Sequence, residues 1–153
     1  DSPDTVCTVM TADCLPLLIT DKSGSQVASV HAGWRGLKNG IIENTLARFK
    51  APSSDIIVWL GPAIGPQAFE VGPEVKAGFV AMDAAAELAF ISTHSDRYLA
   101  DIYLLARQRL IAQGVTAIYG GDNCTFTEKQ RFFSFRRDGV TGRMATLIWI
   151  GAE

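Results

Sequence analysis

The sequence is short of the residues from which metal centres and disulfide frameworks are built. It has two histidines, His31 and His94, and three cysteines among 153 residues. An odd number of cysteines without framework spacing favours free thiols in a reducing compartment, so we expect a cytoplasmic protein. Because soft ligands are so few, only a small number of metal or nucleophile constellations can be built from this chain.

Several classes of protein are excluded by further absences. The net charge is −2, and no run of lysine or arginine offsets it, so we expect no nucleic-acid partner. No apolar run approaches the roughly 20 residues that span a bilayer, so we expect no membrane partner. Neither a Gly-x-Gly-x-x-Gly pattern nor a P-loop is present, which removes the commonest nucleotide-binding signatures. The sequence does not indicate an oligomeric state.

The rest of the composition is that of one globular domain with a sizeable core, since 48% of the residues are apolar. The chain has no initiator methionine and reaches a strand pattern within a few residues. We therefore expect a single catalytic domain over 1–153 that lacks an upstream segment. Residue patterns predict strands at 5–10, 15–20, 26–32, 56–60, 115–119 and 144–150, and helices at 40–50, 73–82 and 98–113. Strands outnumber helices and are partly joined as hairpins, which predicts an α+β fold with mixed sheets.

The chemistry is concentrated in two motifs, Thr11–Pro16 (TADCLP) and His31–Gly36 (HAGWRG). They place Cys14 at the start of one strand and His31 at the end of the next, and the turn signal at 21–25 folds the two together. A thiol and an imidazole held close suit a transition metal such as zinc, or a thiolate–imidazole nucleophile. A catalytic zinc usually has three protein ligands, and nothing downstream offers a convincing third.

Other candidate residues carry weaker signals. Arg35 suits a phosphate or a carboxylate, although a surface salt bridge explains it equally well. Trp34 fits a core position better than a stacking platform. Cys124, a single cysteine on a turn, is weak evidence for a metal ligand, and His94 fits a solvated histidine in a polar loop. The segment 132–143 combines arginines and aromatic residues, which indicates either a pocket for an anion and a ring or an arginine-rich turn.

At these motifs the sequence resembles the bacterial polyphenol oxidase or laccase-domain family (YfiH-type), whose members are zinc-dependent purine nucleoside enzymes. The matching segments follow family order along almost the whole chain. They are Met10–Pro16, His31–Gly36, Trp59–Pro66, Phe69–Gly72, Asp101–Tyr103, Gly120–Thr125, Phe132–Asp138 and Thr141–Met144.

This resemblance implies a fold of mixed sheets flanked by helices, YfiH-like or cytotoxic-necrotizing-factor-like. It implies a zinc site on Cys14, His31 and a second histidine upstream of this chain. The implied activity is phosphorolysis of purine nucleosides such as adenosine and inosine, with deamination of adenosine. Arg35 is then the candidate for balancing the phosphate charge, and Asp13 is a candidate acid/base group or a partner of the metal ligands.

Alternatives from other classes stay open. The family's older label implies laccase-like oxidation of polyphenols with copper, but multicopper chemistry needs more histidines than the two present. A metal-free enzyme would use Cys14 as nucleophile and His31 as base, as a thiol hydrolase or in the peptide-editing role linked to the family. A third possibility is a non-catalytic module that binds a nucleoside or a metal.

Overall fold

The computed structural model describes residues 3–151. The strands are β1 (Cys7–Thr11), β2 (Leu15–Asp21), β3 (Val27–Ala32), β4 (Ile56–Leu60), β5 (Glu70–Val71), β6 (Phe90–Ser92), β7 (Tyr98–Ala100), β8 (Ala117–Gly120) and β9 (Met144–Ile148). The α-helices are α1 (Trp34–Lys38), α2 (Ile41–Leu46), α3 (Pro73–Val80), α4 (Ile102–Ala112) and α5 (Phe135–Asp138), and 3-10 turns occupy Ser53–Asp55 and Ala84–Ala89.

The strands form three sheets. The largest has the order β3-β2-β4-β8, with β2 antiparallel to both neighbours and β4 parallel to β8. β1 and β9 pair antiparallel as a ribbon, and β5, β7 and β6 make a small third sheet. Parallel and antiparallel pairs in one sheet, flanked by helices, confirm the predicted α+β class with mixed sheets.

The core is built around β2 and α4. β2 is the central apolar strand, and its Leu17 and Ile19 are completely buried. Leu105 and Leu110 of α4 are also buried in this core. Each such side chain contributes about 1.5–3 kcal/mol through burial, so this core fixes the ends of β2 and β3 that lead into the site.

The predicted helix over 98–113 is wrong at its start. Tyr98–Ala100 instead forms β7, which pairs with β5 and β6. Asp101 then caps α4, because its carboxylate accepts a hydrogen bond from the Leu104 N–H at 2.9 Å. An aspartate at this place ends the extended segment and begins the helix.

Two other helical segments differ from the predictions. The helix predicted over 40–50 covers only Ile41–Leu46, and α1 precedes it as a separate helix. Gly40 divides the two, since its φ of +84° is a left-handed conformation that glycine adopts without strain. Within 132–143 the short helix α5 begins after Ser134, whose hydroxyl accepts a hydrogen bond from the Arg137 N–H.

Two global features concern cysteines and membranes. Cys7, Cys14 and Cys124 are all free thiols. Across 3–151, no helix has the length and apolar character needed to cross a bilayer.

Candidate functional site

Pairing of β2 with β3 brings Cys14 and His31 together. Leu15 lies opposite Ala32, so Cys14 and Gly33 follow as the next residues at the open end of the hairpin. A Cβ atom built on Gly33 would lie 3.0 Å from the Cys14 Sγ and 3.5 Å from the His31 Nε2. The thiol and the imidazole therefore border one small space, which the absence of a side chain at Gly33 keeps open.

The thiol is not activated by its surroundings. Burial raises the pKa of the Cys14 thiol, and the negative charge of Asp13 raises it further. The positive charge of Arg143 acts in the opposite direction and is the weakest of the three effects. A metal-free nucleophile requires a lowered pKa, so this environment suits a thiol that a cation must deprotonate.

Asp13 anchors the turn that carries Cys14. It is a non-glycine residue with a φ of +92°, and only 8% of it is exposed. Its Oδ1 accepts a hydrogen bond from the Thr125 hydroxyl and its Oδ2 accepts one from the Arg136 N–H, each at 2.7 Å. Its carbonyl accepts a third from the Ile64 N–H at 2.9 Å. A strained backbone held by three contacts of this kind is typical of functional turns.

A cavity of about 310 Å³ opens beside Cys14, and we call it the first cavity. Its wall combines aromatic and apolar side chains with two arginines: Ala12, Asp13, Cys14, Trp34, Arg35, Ile64, Phe69, Ile102, Phe135 and Arg136. The Arg35 guanidinium stacks on the half-buried Trp34 ring at 4.5 Å, and Arg136 lies 5.7 Å from the Phe69 ring. Trp34 thus both packs against the core and lines the cavity.

A second cavity of about 250 Å³ also has Cys14 in its wall. Its lining residues are Met10, Thr11, Ala12, Cys14, His31, Phe135 and Arg143. We call it the second cavity. The thiol is therefore accessible from two neighbouring spaces of different character, one rich in aromatic rings and one beside His31 and Arg143.

Cys124 and His94 lie outside these cavities. Burial raises the pKa of the Cys124 thiol, but hydrogen bonds with Thr127 and with the Gly65 N–H, at 3.2 Å, outweigh that effect and lower it overall. His94 lies in an exposed loop. Among residues 3–151, no group of three or more His, Cys, Asp and Glu side chains could hold a metal ion.

Sequence reasoning included Thr11 only as the first residue of the Thr11–Pro16 motif and Arg143 only as one of the arginines of the segment 132–143. The segment 132–143 did signal an anion-and-ring pocket, and the structure divides its residues between two roles. Phe135 and Arg143 line the cavities, whereas Arg137 is structural. The Arg137 guanidinium donates to the carbonyls of Thr125, Phe126 and Phe132 and pairs with Asp138. For Thr11 the only signal was a hydroxyl residue at the end of a strand.

The fold places this chain among mixed α/β proteins. Its site is a hairpin that holds a thiol and an imidazole between two cavities. The chain belongs to the family described as multi-copper polyphenol oxidoreductase laccase, which matches residues 1–151. This confirms the family resemblance that the motifs predicted.

The curated relatives carry a different functional name. The Escherichia coli K12 protein named purine nucleoside phosphorylase YfiH is 59% identical over 150 residues, which are 98% of this chain and 61% of the relative. A Haemophilus influenzae purine nucleoside phosphorylase is 55% identical over 149 residues, 96% of this chain and 61% of the relative. The chain thus spans about three fifths of the length of the relatives it matches.

Solved structures show the same fold. A Neisseria meningitidis protein of the DUF152 family superposes with a TM-score of 0.94 at 50% identity, covering 96% of this chain and 61% of that one. YlmD from Geobacillus stearothermophilus also gives a TM-score of 0.94, at 34% identity, covering 99% of this chain and 59% of that one.

Proposed function

We propose that this chain carries the catalytic part of a zinc-dependent purine nucleoside phosphorylase that also deaminates adenosine. The observation that carries the proposal is that the Cys14 Sγ and the His31 Nε2 both border the small space beside Gly33. Cys14 also lies in the wall of the aromatic first cavity. The names of relatives at 55–59% identity supply the reaction class.

The residues present fit a zinc ion. A thiol and an imidazole are its preferred ligands, and the space above Gly33 is one that a single Cβ would fill. Cys14 and His31 would hold the ion together with a histidine that the family resemblance assigns to an upstream segment. When bound, zinc supplies a Lewis acid and lowers the pKa of a water at the site to about 7, which deamination requires. Copper oxidation fits the donor set less well, because it needs more imidazole ligands.

The first cavity has the chemistry to receive the purine base. The rings of Trp34, Phe69 and Phe135 are in its wall, and offset stacking on such rings stabilises a flat heterocycle. Ile64 and Ile102 add apolar surface that excludes water. At about 310 Å³, the cavity lies at the lower end of the range of about 300–1,000 Å³ for small-molecule sites.

Two charged residues of the first cavity have different roles in this proposal. Across residues 3–151, the Arg35 guanidinium makes no hydrogen bond and only stacks on Trp34, so its N–H groups are free to contact a polar or anionic group of a substrate. Both carboxylate oxygens of Asp13 are occupied by Thr125 and Arg136. Asp13 therefore acts as a positioning residue, which fixes Cys14 relative to the wall of the cavity.

Phosphorolysis itself exchanges one bond at the ribose. A phosphate oxygen forms a bond to C1′ while the bond from C1′ to the purine nitrogen breaks, and the electron pair leaves with the base. The proton that hydrogenphosphate carries ends on the base, so the products are ribose 1-phosphate and the free purine. The protein's task is to hold the two substrates in line and to exclude water.

A metal-free enzyme with Cys14 as nucleophile and His31 as base is the second candidate. The juxtaposition over Gly33 is compatible with it. The raised pKa of the Cys14 thiol disfavours it, because a thiol that is protonated at neutral pH reacts slowly.

The test combines metal analysis with turnover on two proteins. One is this chain, and the other is a version extended upstream by the additional segment of the YfiH relative. Zinc is measured by mass spectrometry, and adenosine turnover is followed in phosphate buffer. We expect about one zinc per extended chain, with release of adenine and inosine that a chelator abolishes, and weaker zinc retention by this chain alone.

The Cys14→Ser variant of the extended protein serves as the matched control, since it keeps the side-chain volume and removes the thiolate ligand. Loss of zinc together with loss of activity supports the metal site. Activity that survives chelation and is abolished by a thiol alkylator would overturn the zinc proposal in favour of the Cys14–His31 nucleophile.

A further inference from the structure

The second cavity takes no part in the proposed binding of the purine base. It shares Cys14 with the first cavity, but its other polar groups are different: His31, Thr11 and Arg143. Pairing of β1 with β9 brings two of them together, because Thr11 lies directly opposite Met144, the residue after Arg143. The cavity is therefore formed where β1 and β9 meet the Cys14–His31 hairpin.

Thr11 holds a buried hydroxyl that lacks a partner. The residue is 1% exposed, and within residues 3–151 its Oγ1 makes no hydrogen bond. Buried hydroxyl groups are almost always hydrogen-bonded, because an unpaired one destabilises the folded protein. Thr11 is nevertheless in the wall of the second cavity, so a rotation of its side chain would present this hydroxyl to a ligand there.

Arg143 supplies a positive charge with open donors. Its Nη1 donates to the carbonyls of Thr141 and Gly142 at 3.0 Å and 2.9 Å, which orients the guanidinium. In the described part of the chain its Nε and Nη2 make no hydrogen bond, and no carboxylate pairs with it. The guanidinium is close enough to Cys14 for its charge to lower the pKa of that thiol, against the larger effect of burial.

We propose that the second cavity is an oxyanion subsite that binds the phosphate co-substrate through Arg143 and Thr11. A planar fork of donors next to a hydroxyl matches the oxygens of a tetrahedral anion. The inference rests on the proposed function and deepens it. With the base in the first cavity and phosphate in the second, the ribose lies between them at Cys14 and His31, where the phosphate oxygen can reach C1′ as the base departs.

The direct test is titration with inorganic phosphate, followed by phosphorus NMR, of this chain and of the extended protein. Arg143→Gln and Thr11→Val remove the two groups with little change of volume. Arg97→Gln and Thr8→Val are the matched controls, since both residues are exposed and lie outside the two cavities. We expect phosphate affinity to fall about tenfold or more in Arg143→Gln and severalfold in Thr11→Val, with both controls binding like the parent.

Kinetics on the extended protein provide the second readout. Arg143→Gln should raise KM for phosphate about tenfold or more while KM for adenosine stays within about twofold, because only phosphate contacts the guanidinium in this proposal. Equal phosphate affinity in Arg143→Gln and Arg97→Gln overturns the subsite. So does a phosphate KM that changes only in Arg35→Ala, which would assign the anion to the first cavity.

Failure of the proposed function is distinguishable from failure of this subsite. If the extended protein turns over no nucleoside, the phosphorylase proposal is wrong, while the phosphate titration still reports on the second cavity. Phosphate binding that Arg143→Gln and Thr11→Val both weaken supports the subsite in that case also. Absence of phosphate binding by either protein overturns it.

Discussion

Gly33 shows how a residue without a functional group can control a site. Its φ of −61° and ψ of 157° are open to any residue, so backbone conformation does not require glycine there. The space around the residue does require glycine, because a Cβ would lie 3.0 Å from the Cys14 Sγ and 3.5 Å from the His31 Nε2. The first of these distances is shorter than ordinary van der Waals contact, so the thiol would have to move.

We expect Gly33→Ala to weaken zinc binding about tenfold or more while changing the free energy of unfolding by less than about 1 kcal/mol. Zinc affinity is measured by competition with a chromophoric chelator on the extended protein, and stability by urea denaturation of the metal-free protein. Gly36→Ala is the matched control, since the atoms nearest to its added Cβ are the His31 carbonyl oxygen at 3.4 Å and Ile41 side-chain atoms at 3.8 Å, none of which is proposed to bind zinc. Equal zinc affinity in the two variants would contradict the arrangement of ligands proposed here.

The Thr11→Val variant separates the stability of the folded protein from its affinity for phosphate. Because its buried hydroxyl is unpaired, Thr11→Val should raise the free energy of unfolding by about 1 kcal/mol in the absence of phosphate. Urea denaturation measures this, with Thr8→Val as the exposed control on the same strand. A loss of stability in Thr11→Val would show that the hydroxyl has a partner within the folded protein.

At the scale of elements, the β2–β3 hairpin joins the two sequence motifs, and its turn has its own electrostatics. Asp21, which is 5% exposed, accepts hydrogen bonds from the hydroxyls of Ser23 and Ser25 and, at 2.9 Å, from the Gln26 N–H. The bond from Ser23 is the largest of the causes that lower the pKa of the Asp21 carboxyl well below its ordinary value, and burial opposes them. The ionised carboxylate therefore stabilises the hairpin.

A lowered pKa in the folded state fixes the direction of the pH dependence. The unfolded chain binds a proton at Asp21 near pH 3.9, and the folded protein does so only at lower pH. The stabilisation is thus complete above about pH 5 and is lost as the pH falls below about 4. Asp21→Asn should cost about 1–2 kcal/mol at pH 7, and the difference from the parent should narrow in acid, as measured by urea denaturation between pH 3 and 7. A constant difference across that range would contradict the assignment.

Sequence patterns predicted the elements whose signals lie within the element and its adjoining turns. They failed where an element forms by pairing with residues that are distant in the sequence. β2 and β3 lie within about a residue of their predicted bounds, because an apolar run and a turn signal determine both. Tyr98–Ala100 was predicted as helix, since nothing nearby in the sequence shows that it pairs with β5 and β6. The same limit explains the site: Cys14 and His31 share one hairpin, whereas Arg143 reaches it only through the pairing of β1 with β9.

At the scale of the whole molecule, the proposed zinc site would couple metal binding to folding. A ligand that binds only the folded state stabilises it by RT ln(1 + [L]/Kd), about 2.7 kcal/mol at a hundredfold excess over Kd. We expect zinc to raise the Tm of the extended protein by several degrees, to raise that of this chain less, and to leave Cys14→Ser unchanged in both. Scanning calorimetry with and without zinc measures the four shifts. An equal shift in Cys14→Ser would show that zinc binds elsewhere.

The pairing of β1 with β9 also determines the order in which the hairpin and the second cavity form during synthesis. The Cys14–His31 hairpin is local and can close as soon as its residues leave the ribosome, since short loops close quickly. Arg143 is made long after this hairpin, and the ribbon that brings it beside Thr11 must join two strands that are far apart in the sequence. A nascent chain that has not yet received β9 therefore has the thiol and the imidazole together but lacks the wall of the second cavity.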